Sequence, residues 1–379
     1  MNPGHYDYIP LERVIWGAAA AAAVAREADR LKASRVMIVA SGTLSRQTGA
    51  IGEIAQALGE RYVGLFDQCR EHAPLESILA CAEAARAVDP DLIVTVGGGT
   101  PIDVVKIVTL CLTLDIRDRD ALLAIADTTT SGPSILRQII VPTTLSAGEY
   151  SNVAGGADIQ RKTKRMYSGS DLCARSVILD PLICRHTPLW LWLSTGIRSV
   201  DHAVEGYCSI APNALVDAGA LHALKLFARS LRRTKADEAD LDARQQSQMA
   251  VWAAASGLGR VPMGASHGIG YVLGVVGGVP HGYTSCVMLP AVMRWNEPVT
   301  GERQRDIAAA LGRPDDSAAH AVADLICDLG LPRSLAEVGI TEDQFELIAK
   351  KALATTVVRA NPRPIREVAD VVEILRLAM

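Results

Sequence analysis

Three segments of this 379-residue chain carry residue types suited to chemistry on a phosphorylated ligand and on a carbonyl group. The first is Val96–Gly97–Gly98–Gly99–Thr100–Pro101–Ile102–Asp103–Val104–Val105–Lys106. Glycines behind an apolar run let the backbone approach a phosphate, and a helix starting there aims its first N–H groups at the anion. Lys106, three residues past Asp103, adds a positive charge or pairs with that carboxylate. A plain strand-to-helix turn would explain the same glycines. The second segment runs from Pro142 to Ser151 and places Thr143, Thr144 and Ser146 just past another apolar run. Those hydroxyls suit ribose or phosphate, and equally suit capping of a following helix. The third set is Asp201–His202–Ala203–Val204–Glu205, Gly264–Ala265–Ser266–His267 and Val279–Pro280–His281–Gly282. Histidines from separate segments can converge on a metal or a reacting carbonyl, or each can be structural.

Periodicity indicates the elements that position these groups. Strands are expected at Val14–Trp16, Arg35–Ala40, Tyr62–Phe66, Asp91–Val96 and Gln138–Val141, with helices at 18–31, 49–58, 75–87 and 102–112 between them. Alternation of this kind predicts parallel pairing, with ligands at the carboxyl ends of the strands. Beyond the VILDP run at 177–181 the texture changes to long helical patterns at 214–233, 242–257 and 318–329, without strand alternation. The expected organisation is an α/β dinucleotide-binding domain over 1–180 and an all-helical substrate domain over 181–379, forming one body with a cleft.

Composition narrows the function classes. A net charge of −4 gives no general attraction to nucleic acid or anionic membranes. No run of eighteen apolar residues is present to span a bilayer. The alanine-rich stretch at 14–25 has cancelling charges before it and Arg26, Glu27, Asp29 and Arg30 after it, so it reads as strand and helix, not as a signal peptide. Eight scattered cysteines without a CxxC pair suit reduced thiols and a cytoplasmic location.

Taken in order, the segments resemble the iron-containing alcohol dehydrogenase superfamily, and within it the maleylacetate reductase branch. The resemblance runs through Arg13–Gly17, GGGTPIDVVK at 97–106, PTTLSAGEYS at 142–151 and VILDP at 177–181. It continues through TGIRSVDHAVEGYCS at 195–209, GASHGIGYVLG at 264–274, VPHG at 279–282 and NPRP at 361–364. It implies a dehydroquinate synthase-like architecture and hydride transfer between NAD(H) or NADP(H) and a small carbonyl or alcohol, in a homodimer. It places the pyrophosphate on Gly97, Gly98 and Gly99, with Ser41, Thr100, Asp103, Lys106, Thr143, Thr144 and Ser146 along the cofactor. His202, His267 and His281 match the histidines that complete a metal site in metal-dependent members.

Three departures bear on the chemistry. Metal-dependent members carry Asp four residues before the first histidine; here that position is Arg198, a fixed cation that repels Fe²⁺ or Zn²⁺. Asp201 lies about 100° round the helix from His202 and is a poor substitute. Metal-independent catalysis is therefore expected, with the oxyanion stabilised by His202, His267 or His281 and by Tyr271, which stands where members often have another histidine. Arg198 either orients a substrate carboxylate or pairs with Asp201. Ser41 replaces the Asp of NAD-selective members, which leaves room for a 2′-phosphate. The rival readings are an Fe- or Zn-dependent alcohol dehydrogenase, with Asp201 or water as the fourth ligand, and a dehydroquinate synthase-like lyase.

Overall fold

The computed structural model describes residues 5–130, 132–161 and 163–379. The chain divides into two compact units, Asp7–Thr187 and Pro188–Met379, the latter joined by Tyr6, whose hydroxyl donates to Ser256 O at 3.0 Å.

In the first unit the strands are β1 (Arg13–Trp16), β2 (Val36–Ala40), β3 (Tyr62–Phe66), β4 (Leu92–Gly97), β5 (Thr129–Thr130), β6 (Gln138–Pro142), β7 (Val153–Asp158), β8 (Thr163–Gly169) and β9 (Ser176–Leu179). Among the described residues, six of them form one sheet in the order β1-β9-β6-β4-β2-β3, every pairing parallel. Every residue of β2, β4, β6 and β9 is buried. That explains their continuous apolar runs, since a parallel sheet is covered on both faces. The sheet brings the carboxyl ends of β2, β4 and β6 side by side, with Ala40 opposite Val96 and Gly97 opposite Pro142.

The sequence reading missed a second sheet, in which β7 and β8 pair antiparallel and β5 lies beside β8. Its strands, VAGGAD and TKRMYSG, have paired glycines and many polar residues in place of clean alternation. Buried charges help to hold it. The Lys106 ammonium is fully buried and donates to Gly148 O at 2.6 Å, Val153 O at 2.9 Å and Ser151 Oγ at 3.4 Å. Asp103 Oδ2 accepts from Gly155 N at 3.1 Å. Burial lowers the Lys106 pKa and raises that of Asp103, each opposed by the other's charge. Lys106 is thus a clasp on β7 and not a phosphate ligand, because its three donors are already engaged. Asp103 is likewise turned to the β7 backbone.

The first compact unit runs on past β9 to Thr187. A 3₁₀ turn at Ile183–His186 follows β9, and Thr187 Oγ1 donates to Thr143 O at 2.6 Å, tying this stretch to the β6 end.

The second unit is helical throughout its described elements, including Leu189–Tyr207, Ala214–Ala236, Leu241–Ala254, Ala265–Gly277, His281–Ala310 and Ala318–Asp328. In the first of these every residue from Trp192 to Tyr207 is buried. A helix buried on all sides is expected to be apolar. Here it carries Arg198, Asp201, His202 and Glu205 inside, all at most 6% exposed. Buried charge is the informative observation. No helix among the described residues is long and apolar enough to cross a membrane.

Lys106→Met is expected to lower the melting temperature, because each buried acceptor left unpaired costs about 1–3 kcal/mol. An unchanged melting temperature would remove the clasp from the account.

Candidate active site

In the α/β unit the glycine turn and the threonine segment form one patch. A Cβ on Gly98 would lie 2.8 Å from Thr144 Cγ2, and one on Gly97 would lie 2.6 Å from Pro101 Cγ. A Cβ on Gly99 would lie 3.7 Å from Ser146 Cβ. Gly97 itself has φ +155°, a conformation that side-chain-bearing residues rarely adopt. The helix Gly99–Thr113 begins at Gly98 without a side-chain cap, so its first amides keep their capacity for an anion. Thr100 is half-buried in that first turn. Thr143 N donates to Gly97 O at 2.9 Å, and Thr144 Oγ1 and Ser146 Oγ are 2.9 Å apart. The next residue, Ala147, sits at φ +63°, a backbone strain of the kind that collects at ligand loops. Ser41 stands at the carboxyl end of β2, its Cβ 3.5 Å from where a Gly97 Cβ would project.

In the helical unit the buried charges of Leu189–Tyr207 meet the start of the helix Ala265–Gly277. Glu205 Oε2 accepts from Gly264 N at 2.9 Å, and Oε1 accepts from Ser266 N at 2.8 Å. The His267 ring places Nδ1 2.7 Å from Glu205 Oε2 and 3.5 Å from Asp201 Oδ1. Asp201 Oδ2 accepts from Ser266 Oγ at 2.8 Å and Ser285 Oγ at 2.7 Å, with Arg198 Nη1 at 3.6 Å. Arg198 Nη1 also donates to Ser285 Oγ at 2.9 Å. His202 packs its ring 4.9 Å from that of His267. His267 Nε2 and His202 Nδ1 are buried without a hydrogen-bond partner among the described residues.

These contacts separate the protonation states. Burial raises the Asp201 pKa, but His267 above all, with Arg198 and Ser285, outweighs it and brings the carboxyl down to about 2. Burial and Arg198 act against a charged His267, yet Asp201 and Glu205 prevail and raise its pKa. His202 is driven well below the usual histidine value by burial, by His267 and by Arg198. One ring favours the imidazolium and its neighbour stays neutral.

The expected convergence of three histidines is found only in part. Tyr271 lies edge-on to His267 at 6.4 Å and stacks on the exposed His281 at 5.9 Å and 7°. Arg198 lies 5.5 Å from the Tyr271 ring centroid, and its burial and contacts support the ion-pair reading over a substrate contact. Among the described residues, one group of three side chains could share a cation: Asp201, Glu205 and His267, with ligand atoms within 4.8 Å. The donor set fits a metal poorly. The Glu205 oxygens are engaged by backbone N–H groups and by His267, and Asp201 faces two hydroxyls and a guanidinium. Glu205, Ser266 and Ser285 were missed as site residues. The i, i+4 spacing of Asp201 and Glu205 on one helix face was the available signal for Glu205.

The family described as iron-containing alcohol dehydrogenase matches residues 11–181, and the C-terminal part of the Fe-containing alcohol dehydrogenase family matches residues 192–379. The chain is 33% identical to the dehydrogenase FUM7 of Gibberella moniliformis, over 94% of this chain and 93% of that one. It is 31% identical to a maleylacetate reductase of Sphingobium indicum, over 96% of this chain and 94% of that one. The crystal structure of maleylacetate reductase from Agrobacterium tumefaciens superposes with a TM-score of 0.84 at 26% identity, covering 100% and 99% of the two chains.

Gly98→Val is expected to weaken NAD(P)H binding steeply, because a branched side chain meets Thr144 and fills the space above the helix start. Fluorescence titration reads the loss, and unchanged affinity would remove the glycine turn as the pyrophosphate cradle.

Proposed function

The chain belongs to the iron-containing alcohol dehydrogenase family and is an NAD(P)-dependent oxidoreductase of alcohols and carbonyl compounds; from that premise we propose that it works without a catalytic metal, with His267 as the donor to the developing oxyanion. The observation that carries the reading is the 2.7 Å contact of His267 Nδ1 with Glu205, which leaves Nε2 as the ring's available position. NAD(P)H, when bound, would supply a hydride to the carbonyl carbon, and Gly97, Gly98 and Gly99, with Thr144 and Ser146, would hold its pyrophosphate.

In the charged ring Nδ1–H donates to Glu205, and Nε2–H is free to donate to the carbonyl oxygen as negative charge builds there. Proton transfer from Nε2 then completes the alcohol, and His267 is left neutral until it is reprotonated. Neutral His202 beside it adds no competing positive charge. Tyr271 packs its ring between those of His267 and His281, beside the proposed donor. The maleylacetate reductase relatives support a carboxylate-bearing keto substrate of that type. The superfamily resemblance supports a homodimer, and the free state of all eight cysteines fits a reducing cytoplasm.

His267→Ala should reduce kcat about a hundredfold to a thousandfold, the usual effect of removing one such donor, with cofactor Kd unchanged. In the unaltered enzyme, carbonyl reduction should fall as pH rises through the elevated His267 pKa, above the ordinary value of about 6.5. Normal kcat in the variant, with only its melting temperature lowered, would take His267 out of the mechanism.

A further inference from the structure

The run Asn361–Pro362–Arg363–Pro364 meets the same helix start that carries His267. The helix Ala265–Gly277 has Gly264 at its N-cap, and so no side chain of its own there to take its first amides. Glu205 accepts from the amides of Gly264, Ser266 and, at 3.4 Å, His267. The amide left among these, Ala265 N, donates to Asn361 Oδ1 at 3.1 Å, from 96 residues along the chain. A Cβ on Gly264 would lie 2.9 Å from Asn361 Oδ1 and 2.9 Å from Glu205 Oε1, so both capping oxygens crowd the glycine.

Asn361 is held through all of its own polar positions. Nδ2 donates to Asn296 Oδ1 at 2.7 Å and to Arg363 O at 2.7 Å, and Oδ1 also accepts from Asn296 Nδ2 at 3.1 Å. With the Ala265 bond, these fill the two donors and two lone pairs of the amide. Exchanging its O and N would set Nδ2 against the Ala265 N–H and Oδ1 against the Arg363 carbonyl, so the neighbours fix which way it points. Both asparagines are buried, and removing one strands the polar atoms of the other. Arg363 fastens the run to the helix His281–Ala310. Its guanidinium carbon lies 3.6 Å from the Trp295 ring centroid, and Nη1 donates to Trp295 O at 3.0 Å.

We propose that Asn361, oriented by Asn296, is a positioning residue: it pins the start of Ala265–Gly277 so that the His267 ring stays on Glu205 with Nε2 toward the carbonyl oxygen. The inference rests on the reading of His267 as the proton donor. Glu205 holds three amides and the imidazole with one side chain. A separate acceptor for Ala265 N completes the cap without drawing on that carboxylate. The residue type also follows from charge, because an aspartate at 361 would set a second anion beside Glu205, whereas the amide offers an oxygen without one. A misplacement of about 1 Å at a reacting group costs up to about a hundredfold in rate, so a helix start that slides releases activity before it releases the fold.

The test is a double-mutant cycle in kcat. Asn361→Ala and Asn296→Ala are each made in the parent and in His267→Ala, with cofactor Kd and melting temperature measured for every chain. Asn361→Ala should lower the parent's kcat about tenfold to a hundredfold at unchanged cofactor Kd. It should lower kcat no further in His267→Ala, because the group it positions is gone. Asn296→Ala leaves Asn361 Oδ1 available to Ala265 N, so it should cause a smaller loss with the same dependence on His267; it decides the matter if Asn361→Ala does not fold. A pair that serves stability alone would lower the melting temperature and leave kcat unchanged, or reduce kcat by the same factor in both backgrounds. Either result overturns the positioning role and leaves the donor reading intact. Full kcat in His267→Ala itself would overturn the donor reading and this inference together.

Discussion

The helical unit depends on one carboxylate placed at a helix start. Glu205 lies inside a helix that is buried on every side, where an uncompensated charge would cost several kcal/mol. It is compensated by the first amides of Ala265–Gly277, which carry the positive end of that helix's dipole. The same carboxylate takes the His267 ring through Nδ1. Backbone and side chain of His267 are thus fixed by a single group, and the ring orientation follows from the packing of two helices. A second carboxylate, Asp201, one helical turn earlier, takes Ser266 from the same helix start and Ser285 from His281–Ala310. Three helices therefore meet at two buried anions.

Charge balance explains why the cluster treats its two histidines so differently. Arg198 and a protonated His267 neutralise Asp201 and Glu205, and a second imidazolium at His202 would leave an excess of buried positive charge. Neighbouring groups pushed to opposite protonation states are the pattern expected of acid–base assignments in an active site. The arginine also changes what the carboxylates are for. Arg198 lies 3.6 Å from Asp201, and the Glu205 oxygens are engaged by N–H donors, so the carboxylate oxygens face a guanidinium, a histidine and backbone amides.

Much of this was legible in the sequence, for physical reasons that also mark where legibility ends. The buried parallel strands announced themselves as continuous apolar runs, and Gly97–Gly98–Gly99 marked the strand-to-helix turn. Arg198 stood out because its charge contradicts the resemblance around it. The β7–β8 hairpin was invisible because its stability comes partly from Lys106 and Asp103, fifty residues away in sequence, and not from its own alternation. For the same reason the sequence left Lys106 open between a phosphate contact and a pairing with Asp103: a lysine near a glycine turn looks the same whether its ammonium faces an anion or buried carbonyls. The histidines were identified by type, but the insertion of Tyr271 against His281 and the capture of His267 by Glu205 are tertiary facts that spacing does not encode.

The central claim is that a carboxylate-held imidazolium does here what a bound cation does in metal-dependent relatives. The most direct measurement is metal content per chain in protein purified without chelator, taken together with kcat before and after exhaustive chelation. The account predicts no stoichiometric iron or zinc and the same kcat in both samples. Stoichiometric metal whose removal abolishes turnover, and whose return as Fe²⁺ or Zn²⁺ restores it, would contradict the account.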